Sequence, residues 1–299
     1  MSGRPDRLQR ESGAQRADLT TRGGDVCPVC GATAEPRVDL GDYRLFHCPR
    51  CRSWSSDALE RGARTSFDPD AYFENADADR ARWDDLLRRA NAGRAEAARI
   101  LDVGCGRGDF LRFLGRRDTP STRCGIEIDP VRAAAARVAD PAATIATGPA
   151  STALPELPGD FDLITLWDVF EHLDDPRAVL HALAARLAPG GRIFVQTIHE
   201  HSAVPTLGRV LYAASAGRIQ GPVRRTHEPH HLVFFSRRGL EGLADEAGLR
   251  IRELWFDRLA MARMDGSRVL TAATAALLAL ENALGNGLFV NLLLESKPR

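Results

Sequence analysis

The stretch Arg99-Ile100-Leu101-Asp102-Val103-Gly104-Cys105-Gly106-Arg107-Gly108 decides how this chain is read. An apolar run carrying one acid leads into glycine at every second position, and Asp109 then opens an expected helix. The pattern is strand, tight turn and helix in succession. A turn free of side chains lets backbone N–H groups and a helix N-terminus approach a ligand closely. A nucleoside-containing cofactor is the ligand class that suits this geometry.

The spacing narrows the class. The dinucleotide fingerprint G-x-G-x-x-G is one residue longer than the G-x-G-x-G found here, and no Gly-Lys-Ser/Thr follows as in a P-loop. A second strand is expected in Arg123-Cys124-Gly125-Ile126-Glu127-Ile128-Asp129-Pro130. An acid ending the second strand of such a unit is placed to accept hydrogen bonds from ribose hydroxyls. Glu127 lies nineteen residues after Gly108, close to the usual spacing of about 20. Asp129, just before Pro130, reads instead as the cap of the next helix.

Over residues 70–295 the chain resembles the class I S-adenosylmethionine-dependent methyltransferases, in the broad group acting on small molecules and lipids. Four stretches, in order, carry the resemblance. They are Asp102-Val103-Gly104-Cys105-Gly106-Arg107-Gly108, then Gly125-Ile126-Glu127, then Phe161 to Leu173 with Asp175-Pro176, and Leu187-Ala188-Pro189-Gly190-Gly191-Arg192-Ile193-Phe194-Val195. The resemblance implies that Gly104 and Gly106, flanking Cys105, lie against the methionine part of S-adenosyl-L-methionine. It implies that Asp102 fixes the loop and reaches the methionine amino group. Glu127 would hold the ribose hydroxyls and Ile128 would cover the adenine. Leu166 to Asp168, with Trp167 between them, would end the fourth core strand beside the sulfonium. Many relatives carry an acid after the third strand to meet the adenine amino group; Ala146 to Ser151 holds none, and by the resemblance backbone groups or Ser151 would have to substitute.

Cys27-Pro28-Val29-Cys30 and Cys48-Pro49-Arg50-Cys51 form two knuckles separated by seventeen residues. This is the C-x2-C…C-x2-C pattern of a zinc site. Cys27, Cys30, Cys48 and Cys51 are therefore expected to hold a structural Zn2+, presented by the turns of a small ribbon. Disulfides do not suit a cytoplasmic setting, and a redox pair would need one motif rather than two.

The chain has 299 residues with 40 basic and 40 acidic side chains, a formal net charge of zero. Broad electrostatic binding to nucleic acid needs a basic face, so no nucleic-acid partner is expected. Residues 1–25 are polar, without the apolar region of a secretory signal, and are expected to be a disordered tail. The run from Val269 to Leu280 is too short to span a bilayer, so no stable membrane insertion and a cytoplasmic location are expected.

The organisation then reads as a tail over 1–25, a zinc ribbon over 26–60, a helical pre-core segment over 61–98 and a methyltransferase domain over 99–299. Strands are expected at 99–103, 122–127, 143–147, 161–167, 191–198, 249–257 and 287–295. Helices are expected between them, at 107–117, 130–139, 176–188, 236–247 and 268–284. That alternation predicts an α/β, Rossmann-like, seven-stranded, mostly parallel sheet with helices on both faces. By resemblance the last strand inserts antiparallel, and the pre-core segment lies across the cofactor pocket. Tyr72 and Arg82 then become candidates to meet the methionine carboxylate or the acceptor.

The segment 199–236 breaks the alternation, carries Gly and Pro, and follows the fifth core strand, where ligands of open α/β sheets sit. It reads as an acceptor lid. Five of the eight histidines lie in it: His199, His201, His227, His230 and His231. His227-Glu228-Pro229-His230-His231 matches H-E-x-x-H, but Pro229 denies the helix that a zinc-protease site needs. Methyl transfer is a displacement at a sulfonium methyl carbon, for which the protein aligns the nucleophile and excludes water. A hydroxyl acceptor gains from a general base, and His suits neutral pH. His199, His172 and His231 are the candidates by topology. The sequence therefore points to methyl transfer to a small or medium metabolite, such as a saccharide, glycolipid or natural-product intermediate. The alternatives are a protein or nucleic-acid methyltransferase recruited through the ribbon, or a non-catalytic cofactor-binding module.

Overall fold

The structure, a computed structural model, describes residues 25–62, 76–93, 95–257, 279–281, 283 and 285–298. Tyr72, nearly all of the expected tail and most of the helix expected over 268–284 lie outside the described residues. Three short strands come first: β1 (Glu35–Asp39), β2 (Arg44–His47) and β3 (Trp54–Ser56), followed by a single turn, α1 (Ala58–Arg61). Helix α2 (Ala76–Asn91) precedes the core. The core begins β4 (Arg99–Val103), α3 (Asp109–Gly115), β5 (Thr122–Glu127), α4 (Pro130–Ala139), β6 (Thr144–Thr147) and α5 (Ala150–Ala153). It continues with β7 (Phe161–Trp167), α6 (Pro176–Ala184) and β8 (Leu187–Ile198). The insertion contributes α7 (Ala203–Ala214), α8 (Gly221–Thr226) and β9 (Val233–Phe234), before α9 (Arg237–Glu246), β10 (Leu249–Asp257) and β11 (Phe289–Ser296).

Among the described residues, seven strands form the main sheet in the order β10-β11-β8-β7-β4-β5-β6. Strands β4 to β8 pair in parallel, whereas β11 runs antiparallel to both β8 and β10. The expected Rossmann-like sheet and its reversed strand are thus both present. Helices cover both faces, so the central strands read as nearly unbroken apolar runs. On one face, Trp83 and Leu86 of α2 and Phe110 and Leu111 of α3 share a cluster with Leu163, Phe194 and Leu293 of the sheet. On the other, Leu180 and Leu183 of α6 and Leu240 and Leu243 of α9 close over Ile164, Leu166 and Val195. Asp129 caps α4 by accepting from the amides of Val131 and Arg132, and Ser236 caps α9 by accepting from that of Gly239.

The strand order reverses at β4, so the loop after β4 and the turn after β7 open side by side at the carboxyl ends of the strands. Open α/β sheets bind ligands at such a switch point.

The ribbon forms a second, antiparallel sheet in the order β1-β2-β3-β9, so its fourth strand comes from the insertion. Cys27, Val29 and Phe46 belong to the same apolar cluster as α9, and Tyr43 and Leu45 share another with Val223 of α8 and Phe234 of β9. The insertion, irregular by its Gly and Pro content, nonetheless carries two helices, α7 and α8, and the short strand β9. Pro205 and Pro222 sit in the first turns of α7 and α8, where a missing N–H breaks no intrahelical bond.

Candidate active site

The glycine loop is built by close approach. Gly104, Gly106 and Gly108 all have positive φ, at 72°, 55° and 79°. A Cβ on Gly104 would collide with the Val169 side chain in the turn after β7, so only glycine lets the two segments meet here. The amides of Gly104 and Cys105 both donate to the Ile126 carbonyl, at 2.7 and 3.0 Å. The Cys105 sulfur sits where it would stand 2.7 Å from a Cβ on Gly125. Its side chain therefore packs against β5, and burial pushes its thiol well up, which leaves the backbone as its contribution to the loop.

Two acids flank this loop. The Glu127 carboxylate, at the end of β5, accepts from the Gly106 amide at 2.8 Å and from the Asp129 amide at 2.9 Å. Each oxygen retains a lone pair for a further donor. Ile128 beside it is 67% exposed, an apolar side chain standing in solvent. Asp102 is buried and accepts from Thr165 Oγ1 at 2.7 Å. Burial pushes its carboxyl up to about 7, opposed by the Thr165 hydrogen bond and reinforced by the charge of Glu127.

The turn after β7 forms the opposite wall. The Trp167 ring lies 4.4 Å from that of Phe194 and 5.8 Å from that of Phe110, and its indole Nε1 is buried without a hydrogen-bond partner. Asp168 takes φ +51°, a left-handed conformation uncommon for a residue with a side chain and found disproportionately at functional sites. Arg82 of α2 stands over the Trp167 ring at 5.7 Å. It also donates to Gln196 Oε1, to Asp79 at 2.8 Å and to Asp257 at 3.4 Å. Gln196 in turn donates to Asn291 Oδ1 at 2.7 Å and to Asp257 at 3.1 Å. This polar cluster bridges α2, β8, β10 and β11 at the mouth of the sheet. Only its Arg82 was singled out by sequence, because single polar residues inside apolar strands carry no motif.

Glu171 also escaped sequence reading. It is 1% exposed and accepts from Thr197 Oγ1 at 2.9 Å. Burial, helped by the charge of Asp168, pushes its carboxyl up to about 8. Its position inside Phe170-Glu171-His172-Leu173 is the one available signal, an acid enclosed by bulky neighbours.

The three catalytic candidates separate into two places. His172 and His231 come together with His230, with ring centroids 4.8 and 5.3 Å from His172. His172 donates from Nδ1 to the His230 carbonyl at 2.8 Å. Burial holds His231 well below its usual range and, together with the nearby His172, holds His230 down to about 4. His199 lies apart, its ring 5.2 Å from Phe256 and 6.1 Å from His201, with Nδ1 buried and without a hydrogen-bond partner. His227 turns to a structural task. It is fully buried, with Nε2 3.0 Å from Glu200, which also pairs with Arg209. Burial would push the Glu200 carboxyl up, but His227 and Arg209 outweigh it and leave Glu200 below the usual carboxylate range.

The four knuckle cysteines converge. Cys27 and Cys51 sulfurs stand 3.5 Å apart, as do those of Cys30 and Cys48, and all four lie within 4.8 Å of one another. A Zn–S bond of about 2.3 Å sets a tetrahedral edge of roughly 3.8 Å, so the set fits a zinc ribbon. The amide of Gly31 donates to the Cys27 carbonyl, and that of Arg52 to the Cys48 carbonyl. Both residues have positive φ, so Arg52 stands in the second knuckle where the first has glycine.

This sheet, with a glycine cradle and two acids at its switch point, defines a class I, Rossmann-like methyltransferase fold. The family model described as "Methyltransferase domain" matches residues 74–254, and the chain belongs to that family. A ubiquinone biosynthesis O-methyltransferase of Aeromonas salmonicida (strain A449) is 27% identical over 158 residues, 52% of this chain and 64% of that protein. One of Pseudomonas aeruginosa (strain LESB58) is 28% identical over 162 residues, covering 52% of this chain and 66% of that protein. The matched region thus spans slightly less than two thirds of these relatives. Among solved structures, a SAM dependent methyltransferase from Archaeoglobus fulgidus superposes with a TM-score of 0.51 at 17% identity, covering 76% of this chain and 99% of its own. The plantazolicin methyltransferase BamL, solved in complex with a triazolic desmethylPZN analog and SAH, also gives a TM-score of 0.51 at 15% identity, covering 75% of this chain and 86% of its own.

Proposed function

We propose that this chain transfers a methyl group from S-adenosylmethionine to an oxygen of a small or medium metabolite held under the insertion. The observation that carries the reading is the cradle itself. Gly104 has no room for a side chain, and Gly106 is tied to Glu127. Asp102 is buried beneath them and Ile128 is bare beside them. S-adenosylmethionine is a nucleoside bearing a cationic amino-acid arm, and the residues present suit each part. The free lone pairs of Glu127 serve ribose hydroxyls, and exposed Ile128 offers an apolar cover for adenine. Gly104, Gly106 and the Cys105 backbone make room for the arm. Asp102 gains a cation as its counter-charge, which favours its ionised form.

Trp167 and Asp168 occupy the sulfonium end, next to the Gly104–Val169 contact. Tyr72, outside the described residues, stays a proposed contact of the same pocket. When bound, the cofactor supplies an activated methyl group on a sulfonium leaving group. The task left to the chain is to align the acceptor in line with that methyl and keep water out. Half-buried Trp167, packed on buried Phe194, supplies an apolar wall. His172, His231 and His199 supply imidazoles on the acceptor side, where one can take the proton of an acceptor hydroxyl. An oxygen acceptor is favoured by the relatives, which are O-methyltransferases by name. A saccharide, glycolipid or natural-product intermediate remains the proposed acceptor class. The ribbon cysteines Cys27, Cys30, Cys48 and Cys51 are proposed to hold a structural zinc ion.

The test is a screen of hydroxylated metabolites for S-adenosylhomocysteine release by the full chain. Release that depends on acceptor and disappears in Gly104→Val supports the reading. Release only with nucleic acid or protein acceptors would overturn the acceptor class.

A further inference from the structure

The turn that follows β7 and the loop that precedes β9 meet through three imidazoles. His172 belongs to the first; His230 and His231 belong to the second. One ring nitrogen of each lies within 4.8 Å of the other two. A Zn–N bond of about 2.1 Å sets a tetrahedral edge of roughly 3.4 Å, so modest ring rotations close the set around one ion.

Two further features favour a metal over a chance cluster. Imidazoles that bind metals commonly donate their other N–H to a carbonyl or carboxylate, which fixes the tautomer and the ring. His172 makes that bond, from Nδ1 to the His230 carbonyl at 2.8 Å, which leaves its Nε2 as the lone-pair nitrogen. His230 Nδ1 stands 3.4 Å from Glu228 Oε2. In addition, His231 Nδ1 is buried and has no hydrogen-bond partner. An orphaned buried nitrogen calls for an explanation, and a cation held through His231 Nδ1 would provide one.

We infer that His172, His230 and His231 form a binding site for one divalent transition-metal ion of the zinc class, separate from the four ribbon cysteines. Neutral nitrogen donors suit zinc, copper, iron or nickel rather than magnesium or calcium. Three protein ligands leave a fourth position for water or an oxygen ligand, the arrangement of an open rather than a closed site. The ion would clip the insertion to the end of β7. An imidazole bound to a metal is no longer a free base, so the base role would then fall to His199.

The test counts zinc by mass spectrometry in the full chain, loaded with zinc and desalted, beside His172→Gln and His230→Gln. The site requires each variant to hold one ion per chain fewer than wild type, with S-adenosylhomocysteine affinity within about two-fold. Equal counts in wild type and variants overturn it. Cobalt titration of the wild type gives a readout free of substitutions. A second equivalent must add d–d absorption with no added sulfur-to-cobalt charge transfer, and the absence of that second phase also overturns the site. A chain that takes the second ion yet fails to bind S-adenosylhomocysteine would keep this site and remove the proposed function.

Discussion

Trp54 of the ribbon and Phe234 of the insertion are partners in one antiparallel ladder. The relationship joins residues 180 positions apart. It is reinforced on both sides. Tyr43 donates its hydroxyl proton to the His227 carbonyl at 2.6 Å, and His201 donates from Nε2 to the Arg52 carbonyl at 3.2 Å. Ser236 Oγ bonds the Cys51 carbonyl while capping α9. A zinc-stabilised ribbon would therefore be part of the scaffold that positions the acceptor side.

Metal removal should thus reach further than the ribbon. Cys48→Ser, or strong chelation, should raise KM for the acceptor at least several-fold. The Kd for S-adenosylhomocysteine should change by less than about two-fold, because the glycine cradle lies on β4 and β5. Calorimetry for the cofactor product and initial rates for the acceptor separate the two. Parallel losses in both would show that the ribbon supports the whole domain.

The cradle makes a sharper prediction at Glu127. Its carboxylate accepts from two backbone amides besides any ribose hydroxyl. Hydrogen bonds to a charged group are worth about 1.5–3 kcal/mol each, so Glu127→Ala should weaken S-adenosylhomocysteine binding by roughly ten- to a hundred-fold at 1.4 kcal/mol per ten-fold. Unchanged affinity would remove Glu127 from the site.

Asp102 and Glu171 set a pH dependence for the ligand-free chain. Their folded carboxyls titrate at about 7 and about 8, above the roughly 4 of an unfolded carboxyl. The folded state then binds more protons than the unfolded state. Their contribution to stability is fully present below pH about 4 and is lost as pH rises through 7 and 8. For Asp102 the loss is on the order of 4 kcal/mol, at 1.36 kcal/mol per unit. Asp102→Asn should therefore flatten the fall of Tm between pH 4 and 7 relative to wild type. Identical slopes in scanning calorimetry would contradict the assignment.

A fourth prediction concerns the buried pair within the insertion. Glu200 and His227 are both fully buried, and Arg209 completes the group. Removing one partner of a buried pair typically costs about 3–5 kcal/mol, because the others are left uncompensated. Glu200→Ala should lower Tm by several degrees in thermal melts. Glu200→Gln, which keeps a hydrogen-bond acceptor toward His227, should lower it by clearly less; equal losses would count against this account.

Much of this was legible in the sequence because local chemistry dictated it. The strands of the main sheet, the caps Asp129 and Ser236, the knuckle turns and the glycine cradle each follow from residues within a few positions of one another. What was not legible depends on distance. Strand β9 is two residues long, too short for any alternation to show. Its pairing with β3 exists only because the insertion folds back on the ribbon. The grouping of His172 with His230 and His231, and its separation from His199, arises in the same way. The burial of Glu171 against Thr197 and the left-handed Arg52 are likewise set by tertiary surroundings that override local preference.

The central claim is that the Gly104–Gly108 loop with Asp102 and Glu127 holds S-adenosylmethionine. Isothermal calorimetry of S-adenosylhomocysteine against the full chain tests it most directly. The account requires one binding event per chain in wild type and its loss in Gly104→Val, with the melting profile of the variant showing a folded domain. Absence of binding to wild type, or undiminished binding to the folded Gly104→Val chain, would contradict it.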